Sequence, residues 1–221
     1  MKCAGICPES AVVQYGRKMT ASEVVREAAK DEVFYFHSGG GLTLSGGEPL
    51  MQSEFALEVL RGCSEHGINC AMESSFFAPW EKIEPLLPYL SRLYVDIKHT
   101  DAESHKRLTG VESSLILENI RRADASRHYF ELVVRMPVIP GVNDRNEDML
   151  RLAEITNSLK KLQFVELLAY HRLGTETYKK LDMEYPLQDL QSPSGEYMQE
   201  RASVFKRLGK SPIITSGMAM E

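Results

Sequence analysis

Residues 41–49 read Gly-Leu-Thr-Leu-Ser-Gly-Gly-Glu-Pro, a short apolar strand pattern that runs directly into two glycines, an acid and a proline. Two adjacent glycines allow the backbone to approach a ligand closely and to adopt dihedral angles that other residues avoid. The carboxylate of Glu48 offers acceptors to an ammonium group, and Pro49 suits the first position of a helix. The segment therefore predicts a β-strand, a ligand-binding turn and the start of a helix.

The same order of strand and helix recurs along the chain. Apolar strand patterns lie at residues 41–45, 68–74, 92–97, 129–136, 164–169 and 213–215. Helical patterns lie between them, at residues 20–29, 55–67, 80–90, in a stretch ending at 122, and at 144–159 and 194–208. This alternation predicts an α/β fold with a parallel sheet and helical crossovers. A closed eight-unit barrel needs about 250 residues, so five or six units in 221 residues predict an open, partial TIM-like barrel.

Charge and hydropathy exclude several classes of protein. The chain carries 26 Lys and Arg against 31 Asp and Glu, a formal net charge of -5. An acidic chain is poorly suited to binding a phosphate backbone, which depends on clustered cations. No signal-peptide core and no run of about 18 apolar residues is present. The sequence therefore predicts a cytoplasmic protein with neither nucleic acid nor membrane among its partners.

The four cysteines fall into two kinds. Cys3 and Cys7 form a C-x3-C-P pattern, which matches the closing half of the ferredoxin run C-x2-C-x2-C-x3-C-P. Two cysteines alone cannot hold a 4Fe-4S cluster, and the rest of that run would lie before Met1. Cys63 and Cys70 are predicted to be buried structural thiols. Three histidines lack an acid or thiol at ligand spacing and are predicted to be surface residues: His66, His105 and His128.

Polar or ionisable residues end every strand that is predicted to be buried. Ligands of parallel α/β proteins bind at the carboxyl ends of the strands, so these residues are predicted to converge on one mouth. Their mixed signs suit a small zwitterionic ligand better than a bare phosphate. In chain order, the candidate binding residues are Ser45, Gly46, Gly47, Glu48, Glu73, Asp96, Lys98, Arg135 and His171.

Four segments of the chain resemble one family. They are C-A-G-I-C-P at residues 3–8, G-G-G-L-T-L-S-G-G-E-P-L at 39–50, D-I-K-H at 96–99 and A-Y-H-R-L-G at 169–174. They look like the glycyl-radical-enzyme activating enzymes of the radical S-adenosylmethionine superfamily, of the pyruvate formate-lyase activase type. The resemblance implies a partial (β/α)6 barrel with a 4Fe-4S cluster and S-adenosylmethionine in its mouth. It also implies a protein substrate, a glycyl radical enzyme, and a flavodoxin or ferredoxin-type reductant.

The implied chemistry is carried by the cofactors, and the chain binds and orients them. Reductive cleavage of S-adenosylmethionine would give a 5′-deoxyadenosyl radical, which abstracts a hydrogen atom from a glycine of the partner. By the resemblance, Gly46, Gly47 and Glu48 hold the methionine amino group. Asp96 and Lys98 match a D-x-K motif near the methionine end. The resemblance implies no side chain as a catalytic acid or base.

Further matches concern the remaining strand ends. The resemblance places Arg135 and His171 beside the cofactor, with His171 near its carboxylate. Glu73 stands at the acidic position of a D/E-T/S-x-G segment, which in the family can help to bind a monovalent cation. In this chain, residues 75–77 read Ser-Phe-Phe and lack the family's glycine. The backbone of that segment, and with it the cation site, is where the chain departs from the pattern.

A larger departure concerns the cluster. The family's C-x3-C-x2-C loop, which holds the catalytic cluster by three thiolates, is absent, and Cys63 and Cys70 do not have that spacing. We expect the first strand, the cluster loop and half of the ferredoxin-like insert to precede Met1. Residues 1–18 are then the end of that insert, holding part of a second cluster through Cys3 and Cys7. Residues 19–221 are the partial barrel.

Three functions are consistent with these residues. The first is a truncated activating enzyme, which as written is predicted to be unable to cleave S-adenosylmethionine. The second is a non-catalytic module that retains the partner-docking and cofactor-binding surface. The third is a metal- or Schiff-base-dependent barrel that uses Asp96, Lys98, His99 and His171, although this reading leaves the G-G-E-P segment unexplained.

Overall fold

Six parallel strands form one open sheet in the computed structural model, which describes Pro8 and residues 16–217. The strand order is β1-β2-β3-β4-β5-β6, so each strand pairs with its neighbours in sequence. Their bounds are β1 Gly41–Leu44, β2 Asn69–Ser74, β3 Arg92–Asp96, β4 Glu131–Val138, β5 Leu162–Ala169 and β6 Ile213–Ser216. The predicted α/β class and the open rather than closed barrel are confirmed.

Helices connect the strands. The α-helices are α1 Ala21–Ala28, α2 Glu32–Ser38, α3 Ser53–Glu65, α4 Trp80–Ile83, α5 Ala102–Thr109, α6 Ser114–Ala125, α7 Asn146–Thr156, α8 Thr175–Lys180 and α9 Gly195–Phe205. Short 3-10 segments lie at Ala29–Asp31, Pro49–Gln52 and Glu84–Tyr89. Pro49 begins the helical segment after β1, as its position predicted.

Local sequence explains where several helices begin and end. Thr20 caps α1, because its hydroxyl accepts from the N–H of Glu23 while the Glu23 carboxylate accepts from the N–H of Thr20. Asp101 caps α5 in the same way, by accepting from a backbone N–H in the first turn. Gly110 ends α5 in a left-handed conformation, with φ of 83°. The single helical stretch expected before residue 122 is therefore two helices.

Two other boundaries differ from the prediction. The helix expected at residues 80–90 is α-helical only as far as Ile83 and continues as a 3-10 segment. Pro85 and Pro88 lack the N–H that an α-helix would need there. Strand β4 runs past the predicted end at residue 136, because Pro137 and Val138 stay in register with β5.

The sheet has a buried face and an open face. In β3, Leu93 and Val95 are fully buried, whereas Arg92, Tyr94 and Asp96 on the alternate positions are partly exposed. The buried face joins helical side chains in one core that includes Val59, Leu60, Ile83, Leu152, Ala153 and Phe205. The open face carries the polar residues, so the alternation along each strand decides which side chains are available to a ligand.

The predictions for isolated cysteines and histidines are mostly confirmed. Cys63 and Cys70 are buried and free, and burial, together with the nearby Cys63 thiol, raises the pKa of Cys70 to about 12. His66 is exposed. The surface prediction was wrong for His105, which is 2% exposed and whose Nδ1 lies 2.8 Å from the carbonyl oxygen of Val111. The turn after α5 folds back over this ring.

None of the helices formed by residue 8 and residues 16–217 is long and apolar enough to cross a bilayer.

Candidate cofactor-binding site

The predicted binding residues lie at the carboxyl ends of five consecutive strands. Residues 45–48 follow β1, and Glu73 lies at the end of β2. Asp96 ends β3, Arg135 lies on β4, and His171 follows β5 by two residues. Since the strands are parallel and adjacent, these positions share one edge of the sheet, as the strand-end pattern predicted.

Four of these residues make one connected cluster on the open face. The Nε of Arg135 donates to Asp96 Oδ1 at 2.9 Å, and its Nη1 lies 3.1 Å from Glu73 Oε1. Lys98 Nζ donates to the other oxygen of Asp96 at 2.8 Å. The guanidinium of Arg135 also lies over the ring of Tyr94, 5.1 Å from its centroid. We call Glu73, Asp96, Lys98 and Arg135 the strand-end cluster.

The strand-end cluster is electrically balanced, with two carboxylates and two cations. Burial alone would lower the pKa of Arg135, but the carboxylates of Asp96 and Glu73 more than offset this and raise it. Asp96 and Arg135 are register partners across β3 and β4, so the backbone pairing itself brings their side chains together. The cluster therefore offers fixed charges of both signs to a ligand at the mouth.

Glu48 is held from several directions. Its Oε1 accepts from the N–H of Leu50 at 3.1 Å and from the hydroxyl of Ser74 at 2.7 Å. Its Oε2 accepts from the N–H of Ser75 at 2.8 Å and from the Ser75 hydroxyl at 2.5 Å. The carboxylate thus joins the end of β1 to the end of β2 and sets the conformation of the turn that precedes it.

The two glycines of that turn leave open space. Gly46 has φ of +106°, a conformation that L side chains rarely adopt. A Cβ built on Gly46 or on Gly47 meets no heavy atom within 4 Å. Because packing against the protein does not require glycine at residue 47, the exposed backbone there is free for a ligand to approach.

Phe76 occupies the position where the family pattern has glycine. Its φ is +60°, in the left-handed region that favours glycine, and its ring is fully buried. The Phe76 N–H donates to the Ser74 hydroxyl, and Asn119 Nδ2 donates to the carbonyls of Phe76 and Ala78 at 3.0 and 2.9 Å. The glycine-type turn is therefore kept despite the substitution, and burial of the ring offsets the backbone strain.

Asn143 is a residue that sequence reasoning missed. Its side chain is fully buried, and its Nδ2 donates to the carbonyls of Lys98 at 2.9 Å and Pro137 at 2.6 Å. Its Oδ1 accepts from the N–H of Ile139 at 2.8 Å. The amide therefore ties the loop after β3 to the loop after β4. Its position in a Pro-Gly-Val-Asn-Asp turn was the available signal, since such residues often bond to backbone groups.

Other predicted residues stand apart from the strand-end cluster. His171 and Ser45 are exposed. His171 Nδ1 accepts from the N–H of Leu173 at 3.4 Å, and within the described residues it makes no hydrogen bond or ion pair with the cluster. His99 is 1% exposed and its Nδ1 accepts from the N–H of Asp101. This hydrogen bond occupies the Nδ1 lone pair that a metal ion would need, and the described residues place no group of three metal-ligating side chains around His99. Cys3 and Cys7 lie outside the described residues.

Comparison with known families agrees with this architecture, an open six-stranded parallel sheet with charged residues at its carboxyl edge. Residues 6–153 match the model of the Radical SAM superfamily. The chain belongs to this superfamily. It is 43% identical over 187 residues to the isethionate sulfite-lyase activating enzyme of Oleidesulfovibrio alaskensis, a match that covers 85% of this chain and 60% of the relative. It therefore spans about three fifths of the length of that relative.

Two further comparisons support the same branch of the superfamily. The chain is 33% identical to the indoleacetate decarboxylase activating enzyme of Tractidigestivibacter scatoligenes, covering 96% of this chain and 67% of the relative. A domain of pyruvate-formate lyase-activating enzyme from Bacteroides vulgatus superposes with a TM-score of 0.66 and 28% identity, covering 80% of this chain and 99% of that one. The resemblance to glycyl-radical-enzyme activating enzymes is confirmed.

The radical SAM superfamily implies S-adenosylmethionine and a 4Fe-4S cluster, and the resemblance described above adds a monovalent cation. The described residues fit these three groups unequally. S-adenosylmethionine fits, because the turn at Gly46 and Gly47 presents an open backbone beside fixed charges of both signs. The described residues contain no group of three or more His, Cys, Asp or Glu side chains placed to hold a metal ion. An additional monovalent cation fits poorly, because the guanidinium of Arg135 already contacts both Glu73 and Asp96.

Proposed function

We propose that this chain carries the S-adenosylmethionine-binding part of an activating enzyme that generates a glycyl radical on a partner enzyme. One observation carries the proposal: an open Gly46-Gly47 backbone lies at the same edge of the sheet as the charge-balanced strand-end cluster. S-adenosylmethionine is a zwitterion with a sulfonium, so its methionine end needs partners of both signs close together. Membership of the radical SAM superfamily makes this ligand the first candidate.

In this proposal, the chain's own residues bind and orient the ligand. The backbone of Gly46 and Gly47 faces the amino group, and Lys98 and His171 face the carboxylate. Glu48 contributes its negative charge beside the amino group, while its oxygens keep their hydrogen bonds to Leu50, Ser74 and Ser75. Asp96 sets the position of Lys98 through their ion pair of 2.8 Å. When bound and reduced by one electron from a 4Fe-4S cluster, S-adenosylmethionine supplies the 5′-deoxyadenosyl group that abstracts hydrogen.

Cluster binding by this chain remains part of the proposal. Residues 1–18 are proposed to be the end of a ferredoxin-like insert in which Cys3 and Cys7 hold part of a second cluster. Residues 19–221 are proposed to be the partial barrel. The sequence contains no C-x3-C-x2-C, so we propose that the 221-residue chain alone binds S-adenosylmethionine without cleaving it. The relatives' names support a glycyl radical enzyme as the partner class, and the reductant is proposed to be a flavodoxin or ferredoxin.

Equilibrium dialysis with labelled S-adenosylmethionine tests the binding step. Gly47→Ala is expected to weaken binding by about tenfold or more, because its Cβ would project into the space left open at the turn. The same variant is expected to keep its melting temperature, because the new Cβ meets no atom of the protein within 4 Å. Equal affinity in Gly47→Ala and in the wild type would contradict the assignment of this turn.

A second assay tests the expected inactivity. The chain is reconstituted with iron and sulfide, reduced, and analysed for 5′-deoxyadenosine. We expect none, although dialysis shows binding. Formation of 5′-deoxyadenosine would contradict the proposal that this chain cannot cleave the ligand. It would also favour an active enzyme over the non-catalytic module.

A further inference from the structure

One guanidinium serves two carboxylates in the strand-end cluster. Arg135 contacts Asp96 at 2.9 Å and Glu73 at 3.1 Å, and its side chain is only 13% exposed. Asp96 comes from β3, the neighbour of β4 in the sheet, and Glu73 comes from β2, the strand beyond β3. Tyr94 closes one side, with its ring centroid 5.1 Å from the guanidinium carbon. Arg135 is therefore enclosed by two acids and an aromatic face.

The carboxylates of Glu73 and Asp96 lie close enough to share one guanidinium, so they repel each other unless a positive charge lies between them. The resemblance implied that a monovalent cation can help to supply that charge near Glu73. Here the charges already sum to zero, since Arg135 and Lys98 balance Glu73 and Asp96. An alkali ion on the same oxygens would lie within a few ångströms of the guanidinium and would be repelled by it.

We infer that Arg135 is a built-in counter-cation for Glu73 and Asp96, so that this chain needs no monovalent cation at its cofactor site. The planar fork of arginine suits this role, because Nε and Nη1 point toward different acceptors at the same time. The backbone register of Asp96 and Arg135 makes them direct cross-strand partners, which places the guanidinium beside the Asp96 carboxylate. The part of this inference that concerns ligand affinity rests on the proposed function, but the charge balance does not.

The matched control lies on the same two strands. Arg92 of β3 pairs with Glu131 of β4, which is its register partner, at the opposite end of the open face. Arg92→Gln removes one cation from a cross-strand pair, as Arg135→Gln does, but it leaves a single carboxylate rather than two. Any cation effect that is specific to the strand-end cluster must therefore appear in Arg135→Gln and not in Arg92→Gln.

The experiment compares potassium chloride with tetramethylammonium chloride at one ionic strength of about 0.15 M. The wild type and Arg92→Gln are expected to melt within about 0.5 °C of the same Tm in both salts. Arg135→Gln is expected to melt about 3 °C higher in potassium chloride, because potassium would bind the two freed carboxylates in the native state. The double variant Arg135→Gln/Glu73→Gln is expected to lose that difference.

A second readout uses the ligand. The affinity of the wild type for S-adenosylmethionine is expected to be equal in the two salts, and that of Arg135→Gln about tenfold higher in potassium chloride. If no variant binds S-adenosylmethionine, the proposed function fails while the melting comparison still decides the counter-cation role. A potassium-dependent Tm or affinity in the wild type would overturn the inference.

Folding of the variant does not decide the outcome. If Arg135→Gln folds only in potassium chloride, the inference is supported. If it folds in neither salt, the wild type is titrated with thallium(I), a potassium analogue, and observed by 205Tl NMR. An unbroadened thallium signal would support the inference that the Arg135 guanidinium takes the place of a monovalent cation at Glu73 and Asp96. A signal from bound thallium that Glu73→Gln abolishes would overturn the inference.

Discussion

Each end of the open face carries an ion pair between an arginine and a carboxylate on β3 and β4, but the two pairs differ in burial and in their further partners. At the amino end, Arg92 of β3 meets Glu131 of β4, and at the carboxyl end Asp96 of β3 meets Arg135 of β4. The first pair is 42% and 34% exposed, beside a cavity of about 440 Å³. The second is 13% and 17% exposed and has Glu73 and Lys98 as further partners. Burial and extra ion-pair partners, not the residue types, distinguish the charge pair at the carboxyl end from the more exposed pair at the amino end.

Glycines show the same contrast. Gly41 lies at the amino end of β1, where an added Cβ would come within 1.9 Å of the carbonyl oxygen of Asn69. Gly47 lies beyond the carboxyl end, where an added Cβ would meet nothing within 4 Å. The amino end therefore needs its glycine for strand packing, whereas the carboxyl end leaves space that the protein itself does not fill.

The largest expected effect concerns backbone strain at the carboxyl end. Phe76→Ala is expected to destabilise the protein by about 3 kcal/mol, because it empties the space of a fully buried ring. Phe76→Gly removes the same ring but relieves the left-handed strain, which is about 1 kcal/mol. Urea denaturation should therefore rank Phe76→Gly above Phe76→Ala, the reverse of the usual order. If alanine proves to be the more stable variant, residue 76 does not have a positive φ in solution.

The second expected effect tests the two glycines directly. Gly41→Ala should cost about 3 kcal/mol of folding free energy, because the new methyl group collides with backbone and β1 must shift away from β2. Gly47→Ala should change the free energy of unfolding by less than about 0.5 kcal/mol. Urea denaturation midpoints measure both changes in the free energy of unfolding, provided that the variants and the wild type have equal m-values. Similar losses in the two variants would mean that the ends do not differ as described.

The third prediction compares the two arginines in salt-matched urea denaturation. Arg135→Gln should cost about 2 kcal/mol, because it leaves Glu73 and the largely buried Asp96 without a guanidinium partner. Arg92→Gln should cost about 0.5 kcal/mol, since that pair is more exposed and solvent screens it. An equal cost for the two variants would remove the distinction between the ends.

The smallest expected effect appears at alkaline pH. Burial, and then the hydrogen bond to Asp144, raise the pKa of Tyr197 to about 12. In the unfolded chain a tyrosine titrates near pH 10. The folded state therefore holds this proton more tightly, so its contribution is complete below about pH 10 and is lost as pH rises toward 12.

Melting curves taken between those pH values measure this contribution. Tyr197→Phe should flatten the alkaline loss of stability relative to the wild type. The control is Tyr129→Phe at the amino end, where the side chain is 87% exposed and the alkaline slope should not change. An unchanged slope in Tyr197→Phe would show that the folded state does not raise the pKa of Tyr197 above its value in the unfolded chain.

Local patterns predicted much of this molecule. The apolar strand pattern at residues 92–97 predicted β3, and the alternation of strand and helix along the chain predicted the parallel sheet. The pattern did not predict that β3 has one open face, on which Arg92, Tyr94 and Asp96 are partly exposed. The helix expected at residues 80–90 was interrupted by Pro85 and Pro88, whose effect on hydrogen bonding depends on each residue's place in the helix. The surface prediction failed for His105, because it depended on how the turn at Val111 folds back over α5.

The sequence by itself determined the fold class, because the alternation of strand and helix is a local pattern and parallel topology follows from it. The superfamily was indicated by the resemblance of four motif segments, and the strand-end residues predicted which edge of the sheet would carry a site. Only the tertiary structure decided which strand-end charges meet. The sharing of Arg135 between Glu73 and Asp96 depends on strand register and side-chain reach. The turn of the Glu48 carboxylate toward Ser74 and Ser75 likewise depends on a loop some 26 residues away, which Asn119 holds from a helix farther along the chain. Such contacts are set by packing between distant segments, which no local pattern records.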